Sequence, residues 1–324
     1  QVAKAEEDDF TPDDFDPISP EKVKETIEKI DKALKDKPID KKIKQKLNYA
    51  KKHWPMNLAR YQEQEKILNG RKSYSKTDTD ATFMRMKEDH MRNGQLKPGY
   101  NTQITTNDQF ILTYGLYPNP TDTLTFIPQI EIFNQWYHTY PESLTADAGY
   151  GSEENYMFCK RNKINPFVKF NYFDGEQKQK QRYPFSHDYL EYNKDKDCFY
   201  CPTGKEMKVI GTKQRVTENG YKQNYTRYQA KDCSNCKLRC HNQSGNRIMD
   251  VNHNLMEIKN EIRRLLNSEK GIYHQKKRTI DVEPVFAHIK HNRNFRRFNL
   301  RGKKKVEIEL GLLALAHNLK KIAA

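Results

Sequence analysis

Ser143-Leu144-Thr145-Ala146-Asp147-Ala148-Gly149-Tyr150-Gly151-Ser152-Glu153-Glu154-Asn155-Tyr156 is the stretch whose reading decides the fold. Its first residues suit a short strand, Asp147 stands where that run ends, and Gly149 and Gly151 permit a sharp turn. Ser152 then offers an oxygen to the free N–H groups of a helix start, and Glu153 and Glu154 suit the positive end of the helix dipole. The order strand, acid, turn, helix puts Asp147 at a strand's carboxyl end, where open α/β sheets bind ligands. Its carboxylate is therefore a candidate metal ligand. The plainer alternative is that Asp147 only caps a loop.

Working outward, Ala81 to Met86 predicts a first strand, Tyr100 to Thr106 a second and Phe110 to Leu116 a third, the last two joined at Asn107 and Asp108. Asp122 to Tyr137 reads as a helix that covers the sheet, and Pro166 to Phe170 as a strand after the helix that Ser152 opens. Residues 71–171 therefore form the first part of an α/β core. Residues 172–250 break the pattern and read as an inserted Cys-rich module, with a hairpin turning at Glu218-Asn219-Gly220. Residues 251–324 are helical again and complete the core. The final helix, with Val306, Ile308, Leu310, Leu312, Leu313, Leu315, Leu319 and Ile322, is apolar on so much of its circumference that burial is expected.

At the other end, residues 1–18 carry five Asp and two Glu with little apolar content and read as a disordered acidic arm. Residues 19–70 form a helical lead-in, with Val23, Ile27, Ile30 and Leu34 as one stripe and Ile43, Leu47, Ala50, Trp54, Leu58 and Tyr61 as another. Ser19 is the expected cap of the first helix, and Pro55 is expected to kink or divide the second.

The 324 residues include 58 Lys and Arg against 43 Asp and Glu, a net charge of +15. Such an excess favours a polyanionic partner, nucleic acid before membrane, and no apolar run approaches the roughly 20 residues that a membrane helix needs. The polar, acidic start has no secretory pattern, so a cytoplasmic location is expected. A chain that begins at Gln1 rather than Met is expected to have lost upstream residues.

Three constellations carry chemistry. Asp78 and Asp80 precede the first strand, Asp147 ends the fourth, and Glu283 lies in a late helix. Carboxylates from separate elements that converge on one point can hold two Mg²⁺ about 3.5–4 Å apart, an arrangement suited to phosphoryl chemistry. Cys198-x-x-Cys201 and Cys233-x-x-Cys236 match a four-thiolate zinc site, with Cys240 as an alternative ligand. A redox pair is the competing reading. The third is basic: Lys276, Lys277, Arg278, Lys290, His291, Arg293, Arg296, Arg297, Arg301 and Lys303 to Lys305 crowd around Glu283, where they would hold phosphates beside the carboxylates.

Ser75-Lys76-Thr77-Asp78-Thr79-Asp80-Ala81, Leu96-Lys97-Pro98-Gly99-Tyr100-Asn101-Thr102-Gln103, Ala146-Asp147-Ala148-Gly149-Tyr150, Val282-Glu283-Pro284-Val285-Phe286 and the tail Arg296-Arg297-Phe298-Asn299-Leu300-Arg301-Gly302 occur in an order and spacing that resemble bacterial DDE transposases of the IS1182 family, within the IS4/IS5-type group. The resemblance spans roughly residues 70 to 322. It implies an α/β fold with an RNase H-like mixed sheet and flanking helices, here with a zinc-ribbon-like small domain inserted and a helical N-terminal lead-in. It implies Asp78, Asp147 and Glu283 as the catalytic, metal-binding triad with two Mg²⁺ or Mn²⁺ ions. Asp80 and Asp108 are alternatives for the first acid.

Lys290, seven residues after Glu283, resembles the DNA-contacting lysine of the IS4 group signature; the signature's arginine would fall at Thr279, where this chain has Arg278 beside it. Arg278, Lys290, Arg293, Arg296, Arg297 and Arg301 are the candidate DNA contacts. The implied partners are double-stranded DNA, both element terminal repeats and target, and a second copy of the chain on paired ends. A bacterial, nucleoid-associated protein is expected, structural zinc included. Two other readings compete: a DNA-binding remnant without catalysis, and an RNase H-like nuclease without joining activity.

Overall fold

A computed structural model describes residues 20–34, 41–86, 94–178, 185–238, 240–242 and 244–323. The expected acidic arm and Ser19 lie outside the described residues. The chain divides into two compact units, residues 1–80 and residues 81–324.

In the first unit, helix α1 (Pro20–Leu34) lies against α2 (Lys41–Leu68). Pro55 falls inside α2 without dividing it, so of the two expected outcomes, a kink or a division, the division does not occur. Of the predicted stripe of α2, Ala50 is buried, whereas Ile43, Trp54 and Tyr61 are exposed, because α1 covers only one narrow face of the longer helix. Arg71 closes α2 by donating from Nε to the Leu68 carbonyl at 3.0 Å, and its Nη atoms reach the carbonyls of Thr79 and Asp80, both at 2.8 Å. The Nε bond uses a carbonyl of the helix's last turn, and the Nη bonds hold the chain next to Asp78.

The second unit opens with β1 (Thr82–Arg85) paired antiparallel with β2 (Leu96–Gly99). A hairpin follows, β3 (Asn101–Asn107) with β4 (Phe110–Tyr117), turning through Asp108 and Gln109, both at positive φ. After a turn of 3-10 helix at Asp122–Leu124 comes α3 (Phe126–Tyr137). Strand β5 (Ser143–Ala146), helix α4 (Glu153–Arg161) and strand β6 (Asn165–Val168) form a right-sized β-α-β unit with the strands parallel, Ser143 opposite Asn165 and Ala146 opposite Val168. Phe126, Phe158, Cys159, Phe167 and Phe170 fill the core between α3, α4 and β6. Burial pushes the Cys159 thiol up to about 12. At pH 8 it is therefore protonated and shielded, and iodoacetamide is expected to label it only after unfolding, as peptide mass spectrometry would show.

The mixed α/β character agrees with expectation, but one continuous sheet does not form. Among the described residues β1–β2, β3–β4 and β5–β6 are separate two-stranded sheets. Side chains rather than ladder hydrogen bonds join the last two, among them Tyr150 with Gln103 and Asn155 with the Thr123 carbonyl.

Residues 192–251 contain a five-stranded antiparallel sheet in the order β11-β10-β9-β8-β7. Its strands are β7 (Tyr192–Asn193), β8 (Cys198–Tyr200), β9 (Glu206–Val216), β10 (Lys222–Gln229) and β11 (Ile248–Val251), and Gly220 makes the β9–β10 turn at φ 80°. Phe199, Met207, Tyr228 and Val251 are its core. This is a larger sheet than a zinc ribbon, built on apolar packing. It is moored by Glu153, the first residue of α4: this buried carboxylate accepts from Gln223 on β10 at 2.9 Å and from Asn252 and Asn254, both at 2.6 Å. Three amide donors satisfy what would otherwise be a costly buried charge.

Between β6 and this sheet lies the short α5 (Phe173–Gln177). The remaining helices are α6 (His253–Asn267), α7 (Glu269–Asp281), α8 (Glu283–Ala287), a π-helical turn at His288–Asn292, and α9 (Lys303–Ile322). Val306 and Leu310 of α9 pack with Leu116 of β4, while Ala314 packs with Val285, Ile289 and Ile111. The expected all-round burial of α9 is corrected here. Ile308, Leu312, Leu315, Leu319 and Ile322 are exposed, since a single hairpin can cover only one side of a helix.

Candidate functional site

Asp147 sits immediately after β5, where backbone extension gives way to a turn of 3-10 helix at Ala148–Tyr150. Ser152 then caps α4, its Oγ accepting from the Asn155 N–H at 3.2 Å. The local order read from residues 143–156 is thus present.

Two neighbouring loops hold this turn. Asn155 Nδ2 donates to the carbonyls of Tyr150 at 2.8 Å and Thr123 at 3.0 Å, and Thr123 Oγ1 donates to the Gly149 carbonyl at 2.7 Å. Asp122 accepts from Asn101 Nδ2 at 2.9 Å and Gln103 Nε2 at 3.1 Å, and the Tyr150 hydroxyl donates to Gln103. Burial raises the pKa of Tyr150, and the negative charges of Asp122 and Asp147 raise it further, so the hydroxyl remains a donor. Asp122 is the residue that sequence reasoning missed. Its position at the head of a predicted helix read as an ordinary first-turn acid, and only the folded hairpin brings two amides to it. Asp122→Ala would remove the acceptor of Asn101 Nδ2 and leave Gln103 Nε2 with Asn101 Oδ1, and is expected to cost about 1–3 kcal/mol, read as a lower denaturant midpoint at unchanged slope. Asp122→Asn should cost less.

Helix α7 crosses the parallel pair, with His274 stacked on Phe167 at 4.1 Å between ring centres. One turn further on, Arg278 reaches two acids. Its Nη2 lies 2.9 Å from Asp147 Oδ1 and 4.0 Å from Glu283 Oε1. Glu283 begins α8, and Val285 and Ile289 buried against β4 fix that helix in place. Both carboxylate side chains are largely exposed, 63% and 60%, whereas Arg278 is 26% exposed. The fold therefore brings Asp147 and Glu283 to one cation at an open surface.

The other first-acid candidates are placed differently. Asp108, at the β3–β4 turn, pairs with Lys277 at 3.0 Å rather than with Arg278. Asp78 accepts from the Asp80 N–H at 3.2 Å, a local turn in the first unit. Among the described residues, no three His, Cys, Asp or Glu side chains are gathered closely enough to hold a metal ion. Asp147 and Glu283 nevertheless offer hard oxygen donors from separate elements around a shared positive charge, a donor set that suits Mg²⁺ or Mn²⁺. A metal ion and the guanidinium would compete for the same oxygens. Arg278→Gln is therefore expected to strengthen Mn²⁺ binding several-fold in the absence of DNA, as titration calorimetry would show.

The basic candidates divide. Arg296, Arg297 and Arg301 are exposed beyond α8, while Phe295 and Phe298 pack inward. Arg293 donates to the Ala316 carbonyl at 2.7 Å and so ties the loop to α9. Lys290 lies over the Phe286 ring at 5.6 Å. Lys290 lies in a segment of π-type hydrogen bonding, His288–Asn292, that follows α8 directly. Glu309, on α9, accepts from the Asn299 and Leu300 N–H groups at 3.0 Å each and is structural.

The cysteines of the candidate zinc set are placed in two ways. Cys201, Cys233, Cys236 and Cys240 line one cavity, and Cys198 does not. Cys198 is buried in β8 beside Phe199, which fills the sheet's core. Cys201 lies just past the end of β8, in the tight turn that leads to β9.

Residues 200–323 match the family described as the transposase DDE domain, a span that includes Glu283 and ends within residues of the α9 terminus. No curated protein and no solved structure matches the chain. The match supports a DDE transposase, an enzyme class that acts on DNA and generally uses divalent metals such as Mg²⁺. No helix among the described residues is long and apolar enough to cross a membrane.

Proposed function

We propose that this chain is the catalytic region of a DDE transposase of the IS1182 kind, which cleaves DNA at insertion-sequence ends and joins the freed ends to target DNA. The observation that carries the reading is the meeting of Asp147 and Glu283 at Arg278, two acids distant in sequence that the resemblance separately named. Asp147 and Glu283 would hold the divalent metals together with a third acid. Bound there, such ions supply the charge that stabilises a phosphoryl transition state and the acidity that activates water.

The chain's own residues provide the rest. The β5–α4 turn presents Asp147 outward, and buried Val285 orients Glu283. Arg278 neutralises both acids, and its guanidinium would be available to a DNA phosphate with those acids bound to metal. Arg296, Arg297, Arg301 and Lys290 supply further positive charge for the DNA backbone, with the steep salt dependence that phosphate contacts bring. A second copy on paired ends and a nucleoid location belong to the same proposal.

The test uses the full chain with Mn²⁺, a labelled terminal-repeat duplex and a supercoiled target. Covalent attachment of the label to the target is the expected result. Cleavage without attachment would leave an RNase H-like nuclease, and DNA binding without either would leave a remnant that no longer catalyses.

A further inference from the structure

The cavity beside the five-stranded sheet lies outside the proposed catalytic site and has its own chemistry. The Cys201 turn is tight, with the Cys201 N–H donating to the Lys205 carbonyl and the Gly204 N–H to the Cys201 carbonyl, both at 2.8 Å. Cys201 Sγ also lies 3.1 Å from Thr203 Oγ1. Across the cavity, the Cys236 N–H donates to the Cys233 carbonyl at 3.1 Å, a one-turn loop of the kind that presents two thiols from a Cys-x-x-Cys pair. Cys240 follows four residues later and is buried.

The second observation concerns charge. Arg247 is 5% exposed and lies at the same cavity. Its guanidinium donates to Cys240 Sγ at 3.4 Å and to the Phe185 carbonyl, and its backbone N–H donates to Cys233 Sγ at 3.5 Å. Among the described residues no carboxylate forms an ion pair with it. A buried cation needs a nearby negative charge, and neutral thiols supply none. Four thiolates around Zn²⁺ carry a net charge of −2, which Arg247, with Lys205 and Lys231 at the rim, would offset.

We infer that Cys201, Cys233, Cys236 and Cys240 form a tetrahedral zinc site, with Arg247 as its counter-charge and Cys198 excluded. The four sulfurs ring the cavity without converging on one point. Binding requires them to close inward and to release their thiol protons to solvent as the sulfur–metal bonds form. The site would be structural: it would staple the 201–205 turn to the 233–240 loop at one end of a sheet whose other end Glu153 moors.

The experiment uses the full chain purified under reducing conditions without chelator. Elemental analysis is expected to find about one zinc per chain, and cobalt exchange to give the thiolate charge-transfer and intense d–d bands of a tetrahedral sulfur site. Cys198→Ser should retain metal and spectrum. Cys201→Ser and Cys240→Ser should each lose more than half of the zinc and weaken the charge-transfer band. The inference is overturned if the reduced wild-type chain holds neither zinc nor cobalt, or if a Cys233–Cys236 disulfide persists under those conditions. It is equally overturned if Cys198→Ser loses the metal while Cys240→Ser keeps it. Circular dichroism of each variant guards against misfolding, and the wild-type cobalt spectrum with the Cys198→Ser result decides even if Cys240→Ser does not fold. None of these readouts depends on DNA cleavage.

Discussion

Asp147→Asn is expected to lower metal-dependent cleavage of terminal-repeat DNA by on the order of 10²–10³-fold, the loss typical when one electrostatic contact to a transition state is removed. The substitution keeps size and shape but removes the charge that a divalent cation requires. Stability should hardly change, because the side chain is 63% exposed and its observed partner is a single arginine at 2.9 Å. Exposed positions of this kind shift stability within about 0.5 kcal/mol. Glu283→Gln should behave alike, since Glu283 shares the same arginine. Measuring cleavage, DNA affinity and thermal midpoint on the same preparations separates a lost metal ligand from a lost fold. If both variants cut as well as the parent, the acids are surface charges and the catalytic assignment fails.

Gly151→Ala is the second large effect, and it bears on the fold that presents Asp147. Gly151 has φ −73°, a value open to any residue, so backbone freedom is not the reason for glycine here. Space is. A Cβ would collide with the Lys169 carbonyl oxygen and stand 2.8 Å from the Tyr156 hydroxyl and 2.9 Å from Phe170 Cα. Two of these are backbone atoms that cannot rotate away, and the Tyr156 hydroxyl is itself committed to the Val168 carbonyl at 3.0 Å. Overpacking of this kind costs roughly 1–3 kcal/mol, which for a unit of this size lowers the melting temperature by about 2–10 °C. Gly149→Ala is the control. Its added carbon would meet Asp122 Oδ2 at 3.5 Å, an ordinary contact, so little loss is expected. A Gly149→Ala variant less stable than Gly151→Ala would show that the close approach of α4 and β6 is misplaced.

That contrast shows what was legible in the sequence. Both glycines read as turn formers, and the pattern around them correctly ordered strand, acid, turn and helix. Which glycine is obligatory depends on the Lys169–Phe170 backbone passing beside Gly151, and no local signal encodes a neighbour 18 residues on. The same limit applies to the cysteines. Their spacing announces a thiol cluster, yet only the folded chain shows that Cys240 lines the cavity with Cys201, Cys233 and Cys236 while Cys198 is buried in β8 outside it. Asp122 was silent for a related reason, because its partners Asn101 and Gln103 reach it only once β3 has paired with β4.

The sequence by itself determined the local order around Asp147, the capped start of α4, the β3–β4 and β9–β10 hairpins and the basic excess. Each rests on interactions within a few residues or on composition. Only the tertiary structure decided that Asp147 and Glu283 share Arg278 and that α9 buries one side alone. These depend on how separate elements pack, and packing is settled by shape and burial across the chain rather than by the spacing of residues along it.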